Sequence, residues 1–297
     1  MNDRLQRGVD RIQHLTCFTN PTRIDPISGG ITNQNFSVSD GGKRYFVRLG
    51  DDIPIHGVMR FNELNASLAA ARSGISPPVV HHEPGVLVLE FIEGQTLSAE
   101  NFRDFGNVEK AVALVRDCHD RIALNLRGPV LMFWVFHVVR DYLATIQESN
   151  HRLSDIVPAL KADNEMLEQA VGPMTPVFSH NDLLPGNFIL DEKRMWLIDW
   201  DYAGFNSPLF DLGGFCTNNN IAGAEEETAV NLYLGRGMDS AERKSFEALK
   251  CASLLRETAW SMVSEVHSQI DFDYVAYTAT NLEHFQESKE RFRSHFG

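Results

Sequence analysis

Residues 180–190 read HNDLLPGNFIL, and residues 196–204 read WLIDWDYAG. Asp182, Asn187 and Asp199 are oxygen-bearing side chains set among Phe178, Leu183, Leu184, Phe188, Ile189, Leu190, Trp196, Leu197 and Ile198. Polar groups drawn into apolar surroundings cost free energy unless a partner satisfies them, so this stretch reads as a site. An Asp, an Asn five residues on and a further Asp on a following turn is the order that phosphoryl transfer uses. The first orients an attacking hydroxyl as its base, and the other two offer oxygen ligands to magnesium. The intervening FILDEKRMWLI predicts a tight hairpin with a charged turn at 191–194, which returns Asp199 to the side of Asn187. Taken singly, an Asp near a His is a loop cap and an Asn after a Gly is a turn; it is their order and apolar frame together that point to chemistry. His180 is read as a residue that packs and hydrogen-bonds to hold the loop.

Other elements must position these groups. ITNQNFSVS and KRYFVRLG alternate in polarity and are joined by Asp40-Gly41-Gly42, a hairpin signal. An amphipathic helix follows over roughly 58–73, with Phe61, Leu64, Leu68 and Ala71 at helical spacing and Gly74 as its stop. Pro77-Pro78 and Pro84-Gly85 frame two extended segments, PVVHH and VLVLEFIEG, and Gly94 ends this half. From about residue 100 the pattern is helical, except for loops and short strands over 176–202. The apolar run VLMFWVFHVV at 130–139 reads as the start of a buried helix that continues through DYLATIQ. The expectation is an α+β chain in two lobes, a small β-rich one over 1–93 and a larger, mostly helical one over 94–297.

Bulk properties narrow the class. A chain of 297 residues with 43% hydrophobic residues buries one large core or two smaller ones. Forty acids against 27 bases give a net charge of −13, which repels nucleic acid and anionic membranes. The densest basic cluster, KERFR, is interrupted by Glu290. The four cysteines are far apart and form no CxxC pair, so reduced thiols in a cytoplasmic enzyme are expected. The opening MNDRLQRGVD lacks the apolar core of a signal peptide, and the run at 130–139 is too short to span a bilayer. Neither a nucleic-acid partner nor membrane insertion is expected.

HNDLLPGN, LIDWDYAG and then FNSPLFDLGGF together resemble the choline/ethanolamine kinase family, within the wider group that includes aminoglycoside phosphotransferases. Upstream, ISGGITNQNFSV resembles the nucleotide loop, YFVRLG the third strand with Arg48 where protein kinases carry Lys, RFNELNASLAA the first-lobe helix, and LVLEFIEGQTL the hinge. Downstream, LLRETAWSMVSEV and FDYVAYTATNLEHF resemble two late helices, so the likeness covers most of residues 24–285.

The resemblance implies a two-lobed protein-kinase-like fold and an ATP-dependent kinase acting on the hydroxyl of choline or ethanolamine. It implies Asp182 as base, Asn187 and Asp199 as magnesium ligands, and Arg48 on the ATP phosphates. Glu63 pairs with Arg48 or is a solvated helix face. Gly29 and Gly30, with Thr32 and Asn33, form the loop over the phosphates, and the backbone of Glu90 to Ile92 meets the adenine. Asp211 braces the catalytic loop. Glu257, Trp260 and Tyr277 face the substrate ammonium. Choline kinases carry two tryptophans on this helix; here Glu257 stands at the first and Trp260 keeps the second, which is otherwise ordinary helix packing. TNNN at 217–220 lacks the glutamate often found there. Thiamine, an aminoglycoside or another cationic alcohol is the alternative substrate, a non-catalytic kinase-like binding protein is the alternative class, and a homodimer is compatible with either.

Overall fold

The computed structural model describes residues 3–27, 33–268 and 270–297, so the loop expectations at Gly29, Gly30 and Thr32 lie outside the described residues. The first half is built on α1 (Asp3–Gln13), β1 (Arg23–Ile27), β2 (Gln34–Asp40), β3 (Lys43–Leu49), α2 (Arg60–Arg72), β4 (Val79–Glu83) and β5 (Val86–Glu90). Among the described residues the strands form one antiparallel sheet in the order β1-β2-β3-β5-β4. The β2–β3 turn needs its glycines: Gly41 and Gly42 have φ of 57° and 80°, in the left-handed region that a side chain disfavours. Phe36, Val38, Val47 and Val88 pack with Ile12, Leu15 and Phe18. The polar N-terminal segment thus forms a helix that its composition hides, with Leu5, Val9 and Ile12 as its narrow apolar stripe on the sheet.

Helix α2 lies where expected but turned over. Its buried face is Asn62, Glu63, Ala66, Ser67, Ala69 and Ala70, while Phe61 is 41% exposed. The physical reason is pairing: Asn62 donates to Ala203 O (2.8 Å) and accepts from Leu131 N (2.8 Å), and Glu63 reaches Arg48. Small and polar residues let the helix approach the second half closely, and these bonds outweigh the apolar stripe.

The second half contains β6 (Gln95–Thr96), α3 (Phe105–Asn125), α4 (Val135–Glu148), α5 (Val157–Val171), β7 (Val177–Ser179), β8 (Phe188–Leu190), β9 (Met195–Leu197), β10 (Gly204–Asn206), α6 (Pro208–Asn218), α7 (Ala224–Leu234), α8 (Ser240–His267) and α9 (Tyr274–Phe296). Helix α4 begins at Val135, later than the apolar run suggests. The backbone ahead of it is extended because it pairs with β10: Phe205 N donates to Leu131 O (3.1 Å) and Phe133 N to Phe205 O (3.0 Å). β8 pairs with both β6 and β9, and β7 pairs with β10. A side chain at Gly94 would place its Cβ 2.7 Å from Leu190 O, so only glycine lets the chain cross this closely over β8. Helices α4, α5, α8 and α9 enclose a second core with Trp260 in it. Among the described residues no helix is long and apolar enough to cross a membrane.

Candidate active site

The hairpin expected between Asn187 and Asp199 is present, with Phe188 opposite Leu197 and Leu190 opposite Met195. Ile198 N donates to Asn187 O (3.0 Å), which sets Asp199 beside Asn187. Asn187 Nδ2 donates to Asp182 O (2.8 Å), tying the third group to the other two. Both Asn181 (φ 67°) and Asp199 (φ 70°) adopt the left-handed backbone, which Asn and Asp tolerate better than other side-chain-bearing residues. The loop is braced from below. Asp211 accepts from His180 N (2.8 Å) and Asn181 N (2.7 Å), and His119 Nε2 lies 3.0 Å from it. His180 Nδ1 accepts from Asp182 N (3.3 Å), so its Nε2 carries the proton donated to Ile198 O (2.9 Å). Burial pushes the His180 pKa down, in keeping with a neutral ring that holds the loop.

On the sheet side, Arg48 is buried among carboxylates. Its Nη1 pairs with Glu63 Oε1 and with Asp201 Oδ1 (2.7 Å), and its Nη2 stands 3.0 Å from Asp199 Oδ1 without hydrogen-bond alignment. Arg60 joins the same cluster through Glu63 (2.6 Å), Asp201 (2.8 Å) and Asn33 Oδ1 (2.8 Å), and Asn33 Nδ2 donates to Asp201 Oδ2 (3.1 Å). Burial opposes ionisation of Asp201, yet Arg48 and Arg60 hold its carboxyl below the usual range. Glu63 is thus a buried partner of Arg48 and no solvated face. Glu90 N donates to Pro78 O (3.0 Å) at the end of β5, and Ile92 lies just beyond it in the crossing to β6.

On the side away from the sheet, a cavity of about 100 Å³ is lined by Asp182, Arg256, Glu257, Tyr277, Asn281 and His284 among others. Burial raises the Asp182 pKa to about 7, against the opposing influence of Arg256. A base poised there is matched to proton transfer near neutral pH. Tyr277 donates its hydroxyl proton to Glu257 Oε1 (2.8 Å), and Arg256 Nη1 donates to Glu257 Oε2 (2.9 Å). Arg256 Nη1 also lies 3.8 Å from Asp182 Oδ1, with the guanidinium 4.3 Å over the Tyr202 ring. Its Nε and Nη2 are buried without a hydrogen-bond partner, which costs about 1–3 kcal/mol for each such group. Trp260 is not among the residues lining this cavity. It is 6% exposed, packs 5.3 Å from the His56 ring and donates Nε1–H to the Tyr202 hydroxyl (2.9 Å). A larger cavity of about 240 Å³ lies between α2 and the β4–β5 turn, and none of Asp182, Asn187 and Asp199 lines it.

Three participants escaped the sequence reading. Asp201 is signalled by its place two residues after Asp199, and Arg60 by its i,i+3 spacing from Glu63. Arg256 is signalled only as a lone base in the otherwise apolar stretch ahead of Glu257.

Comparison with known proteins agrees with this architecture. The sequence profile described as choline/ethanolamine kinase matches residues 24–246. A probable choline kinase 3 of Arabidopsis thaliana is 26% identical over 311 residues, covering 92% of this chain and 88% of its own. Protein LicA of Haemophilus influenzae is 26% identical over 258 residues, covering 83% of this chain and 75% of its own. The crystal structure of a choline/ethanolamine kinase family protein from Mesorhizobium loti superposes with a TM-score of 0.82 at 26% identity, covering 96% of this chain and 95% of that one. The profile match runs from the sheet through the loop of Asp182 and Asn187 into α8 on a fold shared over nearly the whole of both chains, and the chain, with its two-lobed protein-kinase-like architecture, belongs to the choline/ethanolamine kinase family.

Proposed function

We propose that the chain transfers the γ-phosphoryl group of ATP to the hydroxyl of a small amino alcohol, with Asp182 as the base, and that ethanolamine fits its acceptor cavity better than choline. In this reading residues 1–93 are the nucleotide-facing lobe and residues 94–297 the catalytic and acceptor lobe. The convergence of Asp182, Asn187 and Asp199 on one hairpin, beside a cavity that contains Asp182, carries the proposal.

Asn187 and Asp199 would hold magnesium. Among the described residues no group of three or more His, Cys, Asp or Glu could hold a metal alone. Magnesium does not need one, because it takes one or two protein oxygens and completes its shell with phosphate and water. The all-oxygen donor set fits, and Asp199 Oδ1 is buried without an aligned donor. When bound, the ion neutralises charge on the phosphates. Arg48, 3.0 Å from Asp199, would hold that carboxylate beside the phosphates and lend its charge to them. Asn33 at the end of the nucleotide loop is held by Arg60 and Asp201, and Glu90 and Ile92 frame the adenine side.

The acceptor preference follows from the cavity's chemistry. A quaternary ammonium is recognised by aromatic faces, whereas Glu257, Tyr277 and Asn281 offer hydrogen-bonding atoms that suit the N–H groups of a primary ammonium. The test is an ATP-consumption screen with ethanolamine, choline, thiamine, homoserine and kanamycin. A higher kcat/KM for ethanolamine than for any other acceptor is expected. Preference for choline or kanamycin would overturn the acceptor assignment, and no turnover with any would favour a non-catalytic binding protein.

A further inference from the structure

The cavity beside Asp182 contains a charge whose placement packing does not explain. Arg256 comes from α8, far from the catalytic loop in sequence, and its side chain is only 6% exposed. A buried guanidinium usually satisfies most of its five N–H groups. This one donates to Glu257 through Nη1 alone, and Nε and Nη2 have no partner. Tyr202 covers one face of the guanidinium at 4.3 Å, and Glu257 is itself fixed by the Tyr277 hydroxyl. The charge is therefore held in position while its hydrogen-bonding capacity is left largely unused.

The spacing to the base suggests its use. Nη1 lies 3.8 Å from Asp182 Oδ1, too far for a hydrogen bond. An oxygen atom sitting roughly 3 Å from each would bridge them with ordinary hydrogen-bond lengths. We propose that Arg256 is a catalytic residue of the acceptor site: its Nη1 donates a hydrogen bond to the acceptor hydroxyl oxygen while Asp182 takes that hydroxyl's proton. This rests on the reading of Asp182 as base. The oxygen's lone pair forms the bond to the γ-phosphorus as the bond from that phosphorus to the β–γ bridging oxygen breaks, ADP leaves with those electrons, and the proton on Asp182 passes to solvent. Arg256 stabilises the negative charge that gathers on the oxygen as its proton departs, as fixed donors do at developing oxyanions. Glu257, itself held by Tyr277, fixes the guanidinium in place.

The experiment compares wild type, Arg256→Met, Arg256→Lys, Arg256→Ala and Asp182→Asn, with ethanolamine and then choline as acceptor. Turnover, KM for ATP, ADP binding and melting temperature are measured on each preparation. Arg256→Met is expected to lower kcat by roughly a hundredfold to a thousandfold, the effect of removing one donor from a developing oxyanion, with ADP binding and KM for ATP unchanged. Arg256→Lys should fall between. Millimolar guanidinium, but not sodium chloride at equal concentration, should restore part of the turnover of Arg256→Ala. Wild-type kcat in folded Arg256→Met would overturn the proposal. So would loss of turnover that tracks loss of ADP binding in every Arg256 variant without rescue by guanidinium, which assigns Arg256 to structure alone. Asp182→Asn separates the two levels: an active Asp182→Asn overturns the base assignment, while an inactive Asp182→Asn beside an active Arg256→Met overturns only the role of Arg256.

Discussion

Arg48 and Arg256 are both buried and both charged, and each lies near one carboxylate of the site, Asp199 at 3.0 Å and Asp182 at 3.8 Å, yet their surroundings treat them differently. Arg48 is surrounded by Glu63, Asp199 and Asp201, and Arg60 supplies a second cation to the same cluster. Charges removed from water are tolerated when they are paired and hydrogen-bonded on several sides. Arg256 has one carboxylate in hydrogen-bond contact, a second out of reach and two nitrogens without partners. The first arrangement joins strand β3, helix α2 and the segment after β9. The second leaves donors beside a cavity. Arg48 too leaves its Nε buried without a partner, so the contrast lies in charge: three carboxylates surround Arg48, which ties the sheet to the second half, whereas Glu257 alone touches Arg256, which is left with a donor to offer a ligand.

Asp182, 3.8 Å from Arg256, is the most sensitive point. Asp182→Ala is expected to lose roughly a hundredfold to ten-thousandfold in turnover, the range for removal of a general base, while the fold survives. Near-wild-type turnover in a folded Asp182→Ala would leave neither arginine with a reaction to serve.

Arg48→Met tests the holding role directly. It strands Glu63, Asp199 and Asp201 with Arg60 alone, and breaking a buried pair in this way costs about 3–5 kcal/mol. Urea denaturation should show that loss. Arg256→Met should cost far less stability than Arg48→Met, because relief of its unsatisfied donors offsets the lost pair with Glu257, which keeps the Tyr277 hydroxyl. If the two variants lose equal stability, the distinction between the arginines fails.

The hairpin between Asn187 and Asp199 is the most legible part of the molecule. Asp182, Asn187 and Asp199 lie within a short stretch of chain whose geometry is fixed by one hairpin, so local spacing carries it. Arg48 and Glu63 were legible as a pair only through the family resemblance. Asp201 and Arg256 meet their partners from 153 and 74 residues away, and no periodicity records that. Helix α2 shows the opposite failure: its apolar stripe is real, but Asn62 and Glu63 have buried partners that outweigh it. The helix face of Trp260 points in the sequence to an ammonium contact, whereas its neighbours are His56, Tyr202, Tyr274 and Tyr277.

His56 extends the comparison to pH. It comes from the segment ahead of α2 and packs against Trp260 and Tyr142. Burial first, and Arg256 second, lower its pKa from 6.5 to about 4. The unfolded chain therefore takes up a proton below pH 6.5 that the folded chain refuses. The stability contribution is complete above pH 6.5 and is lost as pH falls toward 4, by about 3 kcal/mol in all. Urea denaturation at pH 7.5 and pH 5 should show this loss, and His56→Gln should flatten it. Arg256→Met should flatten it in part, by removing one of the two main causes, whereas Arg48→Met should not. Trp260→Leu removes the ring on which His56 rests. It should cost about 2 kcal/mol of stability, less than the ~3–5 kcal/mol of truncating a buried aromatic side chain to alanine, and leave the acceptor KM of the folded enzyme unchanged. A raised acceptor KM without loss of stability would return Trp260 to the ammonium site.

The smallest expected effect belongs to Glu257→Gln, and it discriminates between two ways in which this carboxylate could serve the acceptor. Glu257 accepts from Tyr277 and from Arg256, and its side chain is 26% exposed. A glutamine preserves the length and keeps an oxygen for one of those donors, so the cavity should retain its shape. What disappears is one negative charge in a partly wet site, where screening limits its worth to about 1 kcal/mol or less. If Glu257 acts on the acceptor's ammonium, KM for ethanolamine rises by roughly two- to fivefold, in line with that energy, kcat holds, and a neutral alcohol acceptor is unaffected. If it acts by holding Arg256 at the reacting oxygen, kcat falls and KM stays. Combining Glu257→Gln with Arg256→Met then settles the matter: a charge acting on the ammonium adds its effect to that of Arg256→Met, whereas a residue acting through Arg256 has nothing further to lose once the guanidinium is gone.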